Sequence, residues 1–403
     1  MATIAVREHG TDSAPGRSTG LGSPLLVLCF AMLAAMSSFY LLLSTVPVHA
    51  AAVGGDVWAG FATGALMATT IVGELAAAAL IARLGRRTAM ALGLLLLSLP
   101  CLITLADDAT TILVATAVRG LGLGIVLVVA CGLATCLAPV SRRSEALGLY
   151  GLSSAAPAIF AVPLGPWVLA HYGATTTAWA AALLGLFALA GLGACPDRGR
   201  GLPAAAETPV RVRLSLRSIA WPGASLAAGA ILVGASITFL PLAHPEVGTW
   251  TILIALLLQG LGSAFTRWLS GRTIDRHGPR GTLIAGTILT VFGSVCLTAN
   301  GPLAVLVGMA VSGMAFGGLQ SSSLAYMLER TDPTQVDSVS AAWNVAYDAG
   351  LGLGGVAFGM IAAGIGYGPA FAIAGAGIGF SIWAVAAACD CPLTERDAGE
   401  ARC

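Results

Sequence analysis

Four ionisable side chains interrupt stretches that are otherwise apolar: Glu74, Arg119, Arg267 and Asp348. Insertion scales put such a residue at a helix centre at a cost of about 2.5–3.5 kcal/mol, so each needs a compensating role. The two acids could take up and release protons, because loss of water favours a carboxyl's neutral form. The two arginines could hold an anion or pair with the acids. Asn344 stands four residues before Asp348 and faces the same way on a helix, so the two form one polar patch. Tyr40 and Gln320 are the other polar side chains put forward as cavity residues. Plainer readings stay open beside these. Arg267 could snorkel to a nearby interface, Asp348 could simply bond Asn344 or a neighbouring helix, and Arg119 could belong to an ion pair that only holds helices together. Ser37, Ser38, Ser153, Ser154, Gln259 and the run Ser321–Ser323 are set aside, since hydroxyls in apolar helices more often bond the carbonyl four residues back.

The chain that must position these groups has 403 residues, of which 57% are hydrophobic and 10% charged, with a mean hydropathy of +0.88. Soluble domains carry about 25% charged residues, so this is an integral membrane protein. All 20 basic residues are arginine, and the net charge of +1 gives no reason to expect a nucleic-acid partner. The 52 glycines suit helices that pack backbone against backbone in lipid. The nine cysteines form no metal-ligand spacing, and the five histidines lie in the tail or at helix ends. No nucleotide-binding G-x-x-x-x-G-K-[ST] is possible without lysine, so ATP does not energise this chain directly. No Ser/His/Asp or metal constellation supports an enzyme, no cofactor is expected, and the absence of a soluble domain argues against a sensor.

Apolar runs long enough to span a bilayer (about 20 residues) occur at 24–46, 57–81, 88–106, 110–138, 146–170 and 176–195. Six more follow at 218–243, 249–271, 281–299, 303–328, 338–362 and 369–389. The spacing predicts a polar tail (1–23), a six-helix bundle (24–195), a hydrophilic central loop (196–217), a second bundle (218–390) and a charged tail (391–403). The first run is too long for a signal peptide. With both termini cytoplasmic, the inner loops receive Arg83, Arg86, Arg87, Arg142, Arg143, Arg272, Arg276, Arg280 and Arg330. The outer loops receive only acids such as Asp56, Asp107, Asp108 and Glu246. That asymmetry fixes the expected orientation in a cell's inner membrane. Trp58, Trp179, Trp221 and Trp250 stand at span starts, where interface anchors belong.

The halves repeat with an offset of 193: Gly85 falls on Gly278, Val118–Gly124 on Val311–Gly317, and Glu74 on Arg267. The basic turn between spans recurs as well. In the second half it reads Gly271-Arg272-Thr273-Ile274-Asp275-Arg276-His277-Gly278-Pro279-Arg280, a tight reversal forced by Gly278 and Pro279. In the first half Arg83, Gly85, Arg86 and Arg87 keep the pattern, with Ala78 and Ala82 replacing the Gly and the Asp.

The second turn resembles the signature G-x-x-x-D-R-x-G-x-R of the major facilitator superfamily, and the resemblance runs from about Pro24 to Cys389. It implies an all-α membrane fold of 12 helices in two pseudo-symmetric bundles. It also implies a substrate site between them and a conformational gate at Gly271, Asp275, Arg276, Gly278 and Arg280. The first-half turn is expected to matter less, for want of an acid at Ala82. Arg119-Gly120-Leu121-Gly122 is similar to the family's fourth-helix motif, and Asn344 with Asp348 looks like the eleventh-helix pattern of bacterial efflux members. The fifth-helix antiporter motif is met only by Pro163-Leu164-Gly165-Pro166. The reading this supports is a monomeric secondary transporter, a proton-coupled exporter of a small drug or metabolite. Asp348 or Glu74 carries the proton, assisted by Arg119, while Arg119, Tyr40, Asn344, Gln320 and Arg267 face the substrate. Uptake or facilitated transport of a sugar or organic anion is the alternative.

Overall fold

The computed structural model describes residues 22–139, 142–194, 216–331 and 336–389. The expected tails and central loop therefore lie outside the described residues, apart from a residue or two at their edges. Among the described residues there is no strand, and the helices number twelve. The first half comprises α1 (Ser23–Gly54, with a turn at Ser44), α2 (Asp56–Leu84), α3 (Arg86–Ile103), α4 (Ala109–Leu137), α5 (143–172) and α6 (174–194). The second comprises α7 (Leu216–Ala243), α8 (Gly248–His277), α9 (Pro279–Cys296), α10 (Pro302–Glu329), α11 (Val336–Ile365) and α12 (Tyr367–Cys389). Large apolar side chains such as Phe30, Leu75, Phe160, Phe187, Trp250 and Leu303 point outward, as a lipid-facing surface requires.

Several boundaries differ from the hydropathy pattern, for local reasons. α5 and α6 run on almost without a loop, broken only where Gly173 takes φ +79°, a value that favours glycine. The basic turns are mostly helix rather than loop. α8 continues through Gly271–His277 and stops at Gly278, whose N–H bonds the Ile274 carbonyl at 2.8 Å with φ +75°. α2 ends the same way at Gly85, φ +82°, on the Ile81 carbonyl. Arg276 and His277 sit in the last turn of α8, where cations meet the negative end of the helix dipole.

Helix packing reproduces the sequence repeat. In the first half α4 lies so close to α2 that a Cβ on Gly120 would strike the Leu66 carbonyl and one on Gly124 the Thr70 carbonyl. In the second, Gly313 and Gly317 stand at the same offset and press α10 onto the Gln259 and Ser263 carbonyls of α8. The glycines of the motif are thus spacers that bring helix backbones together.

α5 carries Pro157, Pro163 and Pro166 yet remains helical. Pro166 has no N–H to give the Val162 carbonyl, and the Ser44 hydroxyl supplies that bond instead at 2.7 Å. The turn in α1 at Ser44 and the prolines of α5 are therefore two sides of one contact, tightened by Gly165 against the Leu41 carbonyl.

Candidate functional site

The two halves meet along α2 and α11 and along α5 and α8. On the first seam Gly60 and Gly64 of α2 lie against Gly355 and Val356 of α11, close enough that a Cβ on either glycine would clash. The Thr63 hydroxyl shares a 2.9 Å hydrogen bond with that of Thr238 on α7. These contacts belong to the ends of the helices near the acidic loops. On the second seam Gly260 of α8 faces Ile159 of α5.

Toward the arginine-rich ends the halves part around a cavity of about 550 Å³. This is the size range of small-molecule sites. Its two walls differ in chemistry. From α5 come Leu147, Gly148, Gly151, Leu152, Ala155 and Ile159, none of which can form a side-chain hydrogen bond. From α8 come Gln259, Ser263 and Arg267, spaced i, i+4, i+8 on one face. Gln320, Tyr40, Phe316 and Tyr347 complete the lining. Tyr347 is stacked between Phe316 (centroids 5.6 Å apart) and Trp343 (5.9 Å), and the Trp343 indole donates to the Ser323 hydroxyl at 2.9 Å. This ladder fixes the tyrosine ring on the cavity wall.

Of the side chains proposed from sequence to face substrate, Tyr40, Gln320 and Arg267 lie on the cavity lining. Arg119 and Asn344 do not. Arg119 is 0% exposed, and its Nε and Nη2 have no hydrogen-bond partner. Its helix is drawn behind α2 by Gly120 and Gly124, which places it away from the cavity. Asn344 is exposed, is not part of the cavity lining, and has no hydrogen bond to Asp348 among the described residues. Asp348 is buried and Glu74 half-buried, on the two helices of the first seam. Arg119 forms no ion pair with either among the described residues.

The basic turns are also resolved in detail. Asp275 is exposed and makes no ion pair among the described residues, although three arginines surround it in sequence. Arg272 stacks over the Trp268 ring at 3.9 Å instead. In the first-half turn Arg86 donates to the Cys136 sulfur at 2.9 Å, while Arg83 is exposed. Gln259, Ser263 and Tyr347 are cavity-lining residues that sequence reasoning did not advance. The signal for the first two was their spacing on the helix face of Arg267.

Paired helix bundles enclosing a cavity at their interface define a membrane transporter scaffold. The sequence profile of the Major Facilitator Superfamily matches residues 28–257 and again 242–401. The chain belongs to that superfamily, and it is a multi-pass membrane protein that serves transport rather than enzymatic conversion. Its fold is similar to that of the nucleoside transporter NupG (13% identity, TM-score 0.69, covering 91% of this chain and 99% of that one). It is also similar to the bacterial homologue of the human lysosomal transporter Spinster in its inward-facing, unoccupied conformation (16%, 0.69, 87% and 84%). A third is the xylose transporter XylE from E. coli in its inward-open conformation (14%, 0.69, 90% and 95%). None of the curated proteins matches the sequence.

Proposed function

We propose that this protein is a secondary active transporter that exports a small organic molecule in exchange for protons. The supporting observation is that Glu74 and Asp348 lie on α2 and α11, the helices packed together across the halves, between the closed seam and the arginine-rich face. In this reading the two carboxyls approach during the cycle and titrate as a coupled pair, one loading a proton while the other stays charged. Their helices must separate when the seam opens, which gives proton binding a direct grip on the conformational change. The gate at Gly271, Asp275, Arg276, Gly278 and Arg280, with Arg83, Gly85, Arg86 and Arg87 in the first half, would repack in the same movement.

In this reading the closed seam faces outside and the cavity opens to the cytoplasm, with both termini cytoplasmic, in the inner membrane, and the chain acts as a monomer. The membrane potential contributes about 2.3 kcal/mol per charge per 100 mV. The test is substrate flux in proteoliposomes under an imposed pH gradient. Asp348→Asn should abolish proton-driven accumulation while keeping substrate binding, and Glu74→Gln should shift the pH optimum. If the double variant still concentrates substrate against its gradient, neither acid carries the proton. A second reading is uptake or facilitated movement of a sugar or organic anion, and the cation Arg267 on the wall supports its anion form. Accumulation in the opposite direction under the same gradient would select it.

A further inference from the structure

We infer that the cavity selects an amphipathic organic anion, its apolar body against α5 and its carboxylate or sulfonate head at Arg267. This deepens the transport reading above and rests on it. Among the described residues Arg267 is the one charged side chain on the lining. It is exposed to the cavity and forms no ion pair with any described residue, and the carboxyls of Glu74 and Asp348 stand off the wall. A guanidinium in a partly enclosed site binds two oxygens of a carboxylate or sulfonate through two parallel hydrogen bonds, which a neutral or cationic head does not offer.

Two further polar groups share the lining with it. Gln259 and Gln320 are 5% and 8% exposed, and Gln259 Nε2 and Gln320 Oε1 have no hydrogen-bond partner. A buried amide in that condition carries a penalty that a ligand's donor or acceptor removes. The polar groups are confined to the α8 and α10 side and to the two tyrosines. Opposite them Leu147, Leu152, Ala155 and Ile159 present only carbon. A sugar would leave hydroxyls unpaired along that wall, whereas an aromatic or alkyl body would lose only water there. Lipophilic cations are disfavoured by Arg267 itself.

The test uses purified protein with naphthoate, naphthamide and naphthyltrimethylammonium, which share one apolar body and differ in head group. Binding is read from the shift in thermal midpoint in detergent and transport from flux into proteoliposomes. Naphthoate should stabilise the native protein at least about tenfold more tightly than the amide or the cation. Arg267→Gln should erase that preference, and Arg267→Lys should restore part of it, since ammonium keeps the charge but not the fork. Equal binding of all three heads, or no binding by any, overturns the inference, as does a preference unchanged in Arg267→Gln. Naphthoate that binds selectively but does not cross the bilayer leaves the anion site standing and removes the transport reading. Equal flux of all three does the reverse.

Discussion

The hydroxyls of Thr63 on α2 and Thr238 on α7 share a hydrogen bond of 2.9 Å that crosses from one six-helix half to the other. Both residues are buried, and the bond sits beside the contact of Gly60 with the Gly355 carbonyl. Together they close the end of the cavity nearest the acidic loops. Gly60→Leu puts a branched side chain where the α11 backbone lies. It should therefore shift the resting population toward the state open at that end by about tenfold or more. In a background stripped of native cysteines, a thiol at Ser263 should then react more slowly with an impermeant reagent from the arginine-rich side. Unchanged labelling would show that the seam is not the closure.

Ser44 and Val162 provide a stability test. Ser44→Ala leaves the Val162 carbonyl, already deprived of a partner by Pro166, buried without a hydrogen bond. The expected loss is about 1–3 kcal/mol, read as a lowered thermal midpoint. Pairing Ser44→Ala with Pro166→Ala should recover much of it, because the helix then supplies its own N–H. Failure of the recovery would assign the loss to packing instead.

Gly85 and Gly278 hold equivalent conformations, φ +82° with ψ 159° and φ +75° with ψ 169°, in a region open almost only to glycine. Alanine at either should cost on the order of 1–3 kcal/mol, with the two variants alike. The Asp275→Asn variant should differ from both by retaining thermal stability while altering flux. A large melting change in Asp275→Asn would contradict its exposed, unpaired position.

Asp108 caps α4 by accepting from the Thr111 hydroxyl at 2.8 Å and the Thr111 N–H at 2.7 Å. These bonds hold its carboxyl below the usual carboxylate range, the hydroxyl contributing most. A depressed value means the stabilisation is complete above the unfolded carboxylate's titration, near about 3.9, and fades as pH falls through the folded one. Melting scans from neutral to strongly acidic pH should show this loss in the native protein and not in Asp108→Asn, which keeps an acceptor without a titration. Asp108→Ala should be weaker at neutral pH as well. Identical acid limbs in native and Asn proteins would remove the role.

Hydropathy, the one-sided arginines and the 193-residue repeat determine by themselves the membrane class, the twelve helices, the paired halves and the basic turns. Each is a local property, readable because lipid demands helices and glycine punctuates them. Tyr40, Gln320 and Arg267 were legible as polar exceptions on apolar helices. Tertiary structure decided which exceptions share a space. Arg119 resembled a cavity residue as closely as Arg267 did, yet Gly120 and Gly124 pull its helix against α2 and away from the cavity. Gln259 and Ser263 gained importance because the α8 face they share with Arg267 is turned toward α5. Periodicity gives the face of a helix that is polar. Which neighbour that face meets depends on backbone contacts between residues far apart in the chain, such as Ser44 with Val162 and Gly60 with Gly355.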